Sequence, residues 1–159
     1  MAESILKVAI IGLGHLHPRS YMPLFAMDPR TRVVAVYERD AELRESFARE
    51  FGLKAHADLE TLLNQEKPQV AAIFLPHIDC PAAAIRCAEK GVHVMVEKPV
   101  AASADGAQSI VAAVRRQGLK MTTGYCWRLH PVAREIKRLI ESGVIGDVIG
   151  GEGRCAAGR

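Results

Sequence analysis

Apolar residues come in short blocks along the chain, and longer stretches with apolar positions three and four apart lie between them. The blocks are 5–11 (Ile-Leu-Lys-Val-Ala-Ile-Ile), 32–37 (Arg-Val-Val-Ala-Val-Tyr), 69–75, 92–96 and 119–123, with a shorter extended piece at 53–55. Most are β-branched or apolar throughout rather than alternating, which predicts strands covered on both faces. Cap and stop residues bracket the helices between them. Asp40 opens a helix through Phe51 that stops at Gly52, and Asp58 opens one through about Asn64. Asp79 or Cys80, followed by Pro81, opens a helix closed at Gly91, and a fourth runs from Ser103 to Gln117 before Gly118. Side-chain acceptors at the start, proline in the first turn and glycine at the end are what helix termini require. The segment after the first strand differs, because Pro18 and Pro23 predict a delayed or kinked helix start. Alternating buried strands and helices define the class as α/β, a parallel sheet between helical layers.

Composition supports this class and removes others. The chain has 159 residues, 49% of them hydrophobic and only 5% aromatic, which suits an alanine- and valine-rich layered sheet better than an aromatic-filled barrel. A net charge of +3 with no basic run longer than Arg115-Arg116 argues against a nucleic-acid partner. No segment has the apolar length of a membrane span, and the first residues lack the basic start and apolar core of a signal segment. Cys80, Cys87, Cys126 and Cys155 show no Cys-x-x-Cys spacing, so they read as reduced, mostly buried thiols of a cytoplasmic protein. No two histidines stand at helical i, i+4 spacing beside a carboxylate, so no metal site is expected.

The chemistry concentrates where strands end. The first strand runs directly into Gly12-Leu13-Gly14. In a dinucleotide fold the first glycine makes the tight turn, the second admits a pyrophosphate to the backbone amides, and the next helix offers its positive end. The third small residue of that fingerprint is replaced by His17. The second strand ends in Glu38, 26 residues after Gly12, near the point about 20 residues beyond the glycine turn where an acid binds the adenosine ribose hydroxyls. Arg39 beside it can stack on adenine or pair with a 2'-phosphate, so NADP stays open next to NAD; Glu38 favours NAD by repelling that phosphate. The strand 92–96 ends in Glu97-Lys98-Pro99, which sets an ammonium group at the edge of an open sheet where ligands bind.

Together these pieces resemble the Gfo/Idh/MocA family (glucose-fructose oxidoreductase, inositol dehydrogenase and MocA-like proteins). The resemblance rests on Gly12-Leu13-Gly14, Val36-Tyr37-Glu38-Arg39-Asp40, Val94-Met95-Val96-Glu97-Lys98-Pro99 and Gly124-Tyr125-Cys126-Trp127-Arg128-Leu129-His130-Pro131, and it runs the length of the chain. It implies a Rossmann-type doubly wound parallel sheet in three α/β/α layers. It further implies an NAD(P)-dependent oxidoreductase that moves hydride between nicotinamide and a hydroxyl or carbonyl carbon of a sugar, cyclitol or related small molecule. Lys98 becomes the catalytic residue, stabilising the alkoxide that develops as hydride leaves. Cofactor contacts are implied at Gly12, Gly14, His15, Leu16, Glu38 and Arg39. Further contacts are implied at Pro76, His77, Glu97, Lys98 and Arg128. In this family the bond before the proline of Glu-Lys-Pro is often cis.

Three departures qualify the resemblance. Besides His17, the family's Thr-Pro-Asn segment after the fourth strand reads Leu75-Pro76-His77 here, and Cys80 stands where a histidine is usual. The third departure is the end of the chain. The family's cofactor domain, here residues 1–147, is followed by a substrate and oligomerisation domain, of which 148–159 resemble only the first strand. The expectation is therefore that the 159-residue chain binds dinucleotide without turning over substrate, while its full-length parent is an enzyme and a possible homo-oligomer. The alternatives at this point are a non-catalytic NAD(P)-binding module and a partner-dependent structural subunit.

Overall fold

The computed structural model describes residues 5–154. Strand β1 (Leu6–Ile11) buries every residue from Val8 onward, and its side chains alternate between two separate cores. Val8 and Ile10 join Met22 of α1 (His17–Met27) and Phe47 of α2 (Ala41–Phe51) on one face. Ala9 and Ile11 join the other face with Leu62 of α3 (Leu59–Glu66), Ala84 and Cys87 of α4 (Cys80–Glu89) and Ile110 of α5 (Ala104–Arg116). A period of two along a strand sends neighbours to opposite faces, so a strand apolar at every position requires helices on both sides. This is the three-layer α/β/α arrangement expected from the sequence.

The remaining strands are β2 (Thr31–Tyr37), β3 (Lys54–His56), β4 (Val70–Ile73), β5 (His93–Val96) and β6 (Met121–Thr123). All pair in parallel, in the order β3-β2-β1-β4-β5-β6. The helix caps fall where the sequence puts them. Asp40 accepts from the Leu43 amide at 2.9 Å, Asp58 from Thr61 at 2.7 Å, and Ser103 from Gly106 at 3.1 Å, while Gly52 closes α2 at φ +67°.

Two boundaries shift. Helix α3 continues to Glu66 rather than stopping near Asn64, because Glu66 is buried and pairs with His56 at 3.2 Å and Lys54 at 2.9 Å on the adjacent strand. That strand is displaced by one residue, to Lys54–His56, and this register brings His56 inward. Helix α1 does start late, at His17, and carries Pro23 in its interior without breaking.

The chain forms two compact units, 1–124 and 125–159. This division falls before the boundary at 147 read from the sequence. The second unit holds a 3-10 turn, Cys126–Leu129, and helix α6 (Pro131–Glu141), none of whose residues is buried. Residues 148–154 form no strand, and the remainder of the expected strand, with Cys155, lies outside the described residues. Of the cysteines described, Cys80 and Cys87 are buried and Cys126 is exposed. Among the described residues, no helix is long and apolar enough to cross a membrane.

Candidate functional site

With every strand parallel, all carboxyl ends lie on one edge of the sheet. The chain passes from β1 to β2 on one side and returns to β4 on the other side of β1, so the crevice of this fold opens beyond the ends of β1 and β4. The sequence-predicted residues Gly12, Gly14, His15, Leu16, Glu38, Arg39, Pro76, His77, Glu97 and Lys98 all follow strand ends on that edge.

Gly12 has φ +89°, and its amide donates to the Tyr37 carbonyl at 2.8 Å. A Cβ here would stand 2.7 Å from Leu75 Cδ2 and 2.9 Å from the Leu75 amide nitrogen, so both conformation and space demand glycine. Gly14 is the opposite case: it is exposed, with nothing within 4 Å of an added Cβ, so its backbone faces open space. Leu16 is exposed beside it, and α1 begins at the next residue with no acid in its first turn to oppose an anion. The strand-to-helix turn thus leaves its backbone accessible, with the amino end of α1 unopposed by an acid.

Glu38 ties this turn to β2. Its Oε2 accepts the Leu13 amide at 2.7 Å, and its Oε1 accepts the amides of Arg39 at 2.6 Å and Asp40 at 3.1 Å. The exposed Arg39 donates through Nε to the Tyr37 hydroxyl at 3.1 Å, and that hydrogen bond holds its guanidinium above the ordinary arginine value. Beside them lies a cleft of about 370 Å³ between the ends of β2 and β4, floored by Leu59, Leu75, Ala82 and Ala83 and rimmed by Arg39 and Arg86.

The loop after β4 departs from the family pattern in an informative way. His77 is half-buried, and its Nδ1 is buried with no hydrogen-bond partner among the described residues. An orphaned polar atom is costly unless a ligand or water satisfies it, and it stands in the loop that borders the crevice. Cys80 takes a structural role: it is buried, donates to the Leu75 carbonyl at 3.3 Å, and has its thiol pushed up to about 11, chiefly by burial and then by Asp79 and Glu97.

At the end of β5, Glu97 is only 1% exposed. Its Oε1 accepts the Lys98 amide at 2.9 Å, and its Oε2 lies 2.9 Å from His17 Nδ1. Gly124 packs so closely that a Cβ there would meet the two carboxylate oxygens at 2.8 and 3.0 Å. Lys98 itself is exposed, and the Lys98–Pro99 bond is cis. The His17 that spoils the glycine fingerprint is thus the partner of the acid in Glu-Lys-Pro. The sequence gives no sign of this pairing, because 80 residues separate the two. His15 adds a third group, its ring centroid 4.3 Å from that of His17. Arg128 lies in the second unit, exposed in the 3-10 turn, where its amide donates to the Tyr125 carbonyl at 3.1 Å.

A parallel sheet in this order, a glycine turn sealed by an acid from β2, and a lysine after β5 define a dinucleotide-binding domain of the Rossmann class. The chain belongs to the Gfo/Idh/MocA family: residues 6–125 match the family model described as "Oxidoreductase family, NAD-binding Rossmann fold". It is 30% identical over 148 residues to dTDP-3,4-didehydro-2,6-dideoxy-α-D-glucose 3-reductase of Streptomyces violaceoruber, covering 90% of this chain and 42% of the reductase. Two solved structures share the fold. The WlbA dehydrogenase from Bordetella pertussis, in complex with NADH and UDP-GlcNAcA, matches with TM-score 0.83 and 22% identity over 89% of this chain and 44% of its own. Myo-inositol 2-dehydrogenase from Lactobacillus plantarum matches with TM-score 0.81 and 23% identity over 92% and 44%. The chain therefore spans less than half the length of these relatives.

Proposed function

We propose that this chain is the NAD(P)-binding part of an oxidoreductase acting on a sugar, cyclitol or related small hydroxy or carbonyl compound. The observation that carries the reading is the Glu38 carboxylate bonded to the Leu13 amide, because it sets a ribose-binding acid against the open side of the glycine turn. The residues fit a dinucleotide along the crevice. The cleft between β2 and β4 takes the adenosine, the exposed backbone at Gly14, His15 and Leu16 takes the pyrophosphate, and Pro76 and His77 line the way to Glu97 and Lys98. Nicotinamide supplies the hydride chemistry when bound. Lys98 holds the substrate oxygen and stabilises the negative charge that grows on it, while the amide bond from Lys98 to Glu97 steadies the backbone there. Arg128, in the second unit, is assigned a cofactor contact by its place in the family motif.

Glu38 favours NAD over NADP, because a carboxylate against the ribose repels a 2'-phosphate that Arg39, engaged with Tyr37, must neutralise alone. The proton-accepting partner of Lys98 is assigned to the remainder of a longer protein, in a further domain that begins near residue 148. The apolar stripe Val132, Ile136 and Ile140 on α6 supports this, since it is exposed and continues in Val144, Ile145, Val148 and Ile149. A domain covering that stripe would also serve homo-oligomerisation. The reduced, buried Cys80 and Cys87 are in keeping with a cytoplasmic protein.

The test is a calorimetric titration of the chain with NADH and with NADPH, repeated with Glu38→Ala. One-site binding that prefers NADH and shifts towards NADPH in the variant is expected. Absence of binding to both nucleotides overturns the reading, and so does oxidation of sugars or cyclitols by the 159-residue chain alone at ordinary enzymatic rates for its division of labour.

A further inference from the structure

We propose that His15, His17 and Glu97 form a binding site for a divalent transition-metal ion of the zinc class. Each offers one ligand atom, and the three atoms lie within 4.8 Å of one another. Tetrahedral ligands at bond lengths of about 2.0–2.2 Å stand roughly 3.3–3.6 Å apart, so the His17–Glu97 pair opens by about half an ångström and a rotation of the half-buried His15 ring closes the set. Two imidazoles and a carboxylate suit borderline metals rather than Mg²⁺ or Ca²⁺, which take oxygen ligands. Three protein ligands leave a coordination position for water or another small ligand.

The carboxylate is prepared for this role. Glu97 is buried, its Oε1 is held by the Lys98 amide at 2.9 Å, and Gly124 packs against both oxygens. Its Oε2 is directed at His17 Nδ1 at 2.9 Å, a hydrogen bond that a cation must replace. His15 Nδ1 accepts the His17 amide at 3.2 Å, which holds its ring at the site by a weak bond. His15 comes from the turn after β1, His17 opens α1, and the acid follows the end of β5, segments fixed by the same sheet.

The test uses the chain stripped with a chelator and titrated with Zn²⁺ alone by calorimetry, with Mg²⁺ as the comparison, and Co²⁺ as a spectroscopic probe. Expected are one Zn²⁺ per chain, no comparable heat with Mg²⁺, and a Co²⁺ spectrum of nitrogen and oxygen ligation without a thiolate charge-transfer band. His15→Gln and His17→Gln each weaken Zn²⁺ binding at least about tenfold, since even outer-shell changes at metal sites cost that much. Circular dichroism of both variants checks that the fold is kept; His15 is half-buried at the surface, so at least that variant folds. Binding that is absent, that survives both substitutions, or that shows thiolate ligation from cysteine overturns the proposal.

Discussion

Glu38 Oε2 stands 2.7 Å from the amide of Leu13, so the acid ending one strand is hydrogen-bonded to the middle residue of the glycine turn ending its neighbour. Its other oxygen caps two more amides, of Arg39 and Asp40. Charge-assisted bonds of this kind contribute roughly 1.5–3 kcal/mol, and less where water competes as it does here. Glu38→Ala is therefore expected to lower stability by about 1–2 kcal/mol in urea unfolding, besides the shift in nucleotide preference proposed above.

Gly12→Ala meets two obstacles together, a left-handed backbone and a Cβ pressed onto the Leu75 main chain. The conformational part costs roughly 1–2 kcal/mol, and backbone overlap adds to it. The expected result is a loss of more than about 2 kcal/mol by denaturant unfolding together with loss of NADH binding. Gly14→Ala, with open space around it, is expected to fold normally and lose affinity only.

Gly124→Ala probes the other end of the crevice. The added methyl would push on both oxygens of a buried carboxylate already committed to Lys98 and His17. Breaking those bonds inside the protein costs about 1–3 kcal/mol. A stability loss of that size, measured by thermal or urea unfolding, is expected; a neutral variant would show that Glu97 is free to move.

Glu66 makes acid stability measurable. Burial alone would raise its carboxyl above the ordinary 4.5, but hydrogen bonds from Lys54 and His56 outweigh this and lower it. A carboxyl depressed in the folded state contributes stability that is complete above its unfolded value and is lost as pH falls through the folded one. Glu66→Gln is thus expected to be less stable than the parent at pH 7, and the gap should narrow as pH drops below 4.5. Unfolding curves at a series of pH values check the sign.

On the proposed role of Lys98, Lys98→Met in the proposed longer oxidoreductase is expected to lower kcat roughly 100- to 1,000-fold, the usual cost of losing one donor to a developing oxyanion. NADH binding should change far less, so stopped-flow hydride transfer and a nucleotide titration separate the two effects.

Much of this molecule was legible in the chain. Buried strands and capped helices are local patterns: Asp40, Asp58 and Ser103 each bond to an amide three residues on, and Gly52 needs only its own backbone angles. The glycine turn, Glu38 and Lys98 were readable for the same reason, since each sits at a strand end and strand ends share one edge once the sheet is parallel. Tertiary structure decided what depends on partners distant in sequence. Glu66 extends α3 because His56 and Lys54 arrive beside it, and Cys80 is sealed into the core by the close of the β4 loop. His17, out of place in a fingerprint, meets Glu97 across 80 residues of chain. Periodicity and capping are carried by neighbours along the backbone, whereas a buried carboxylate takes whatever donor the packed sheet brings to it, and no linear pattern encodes that choice.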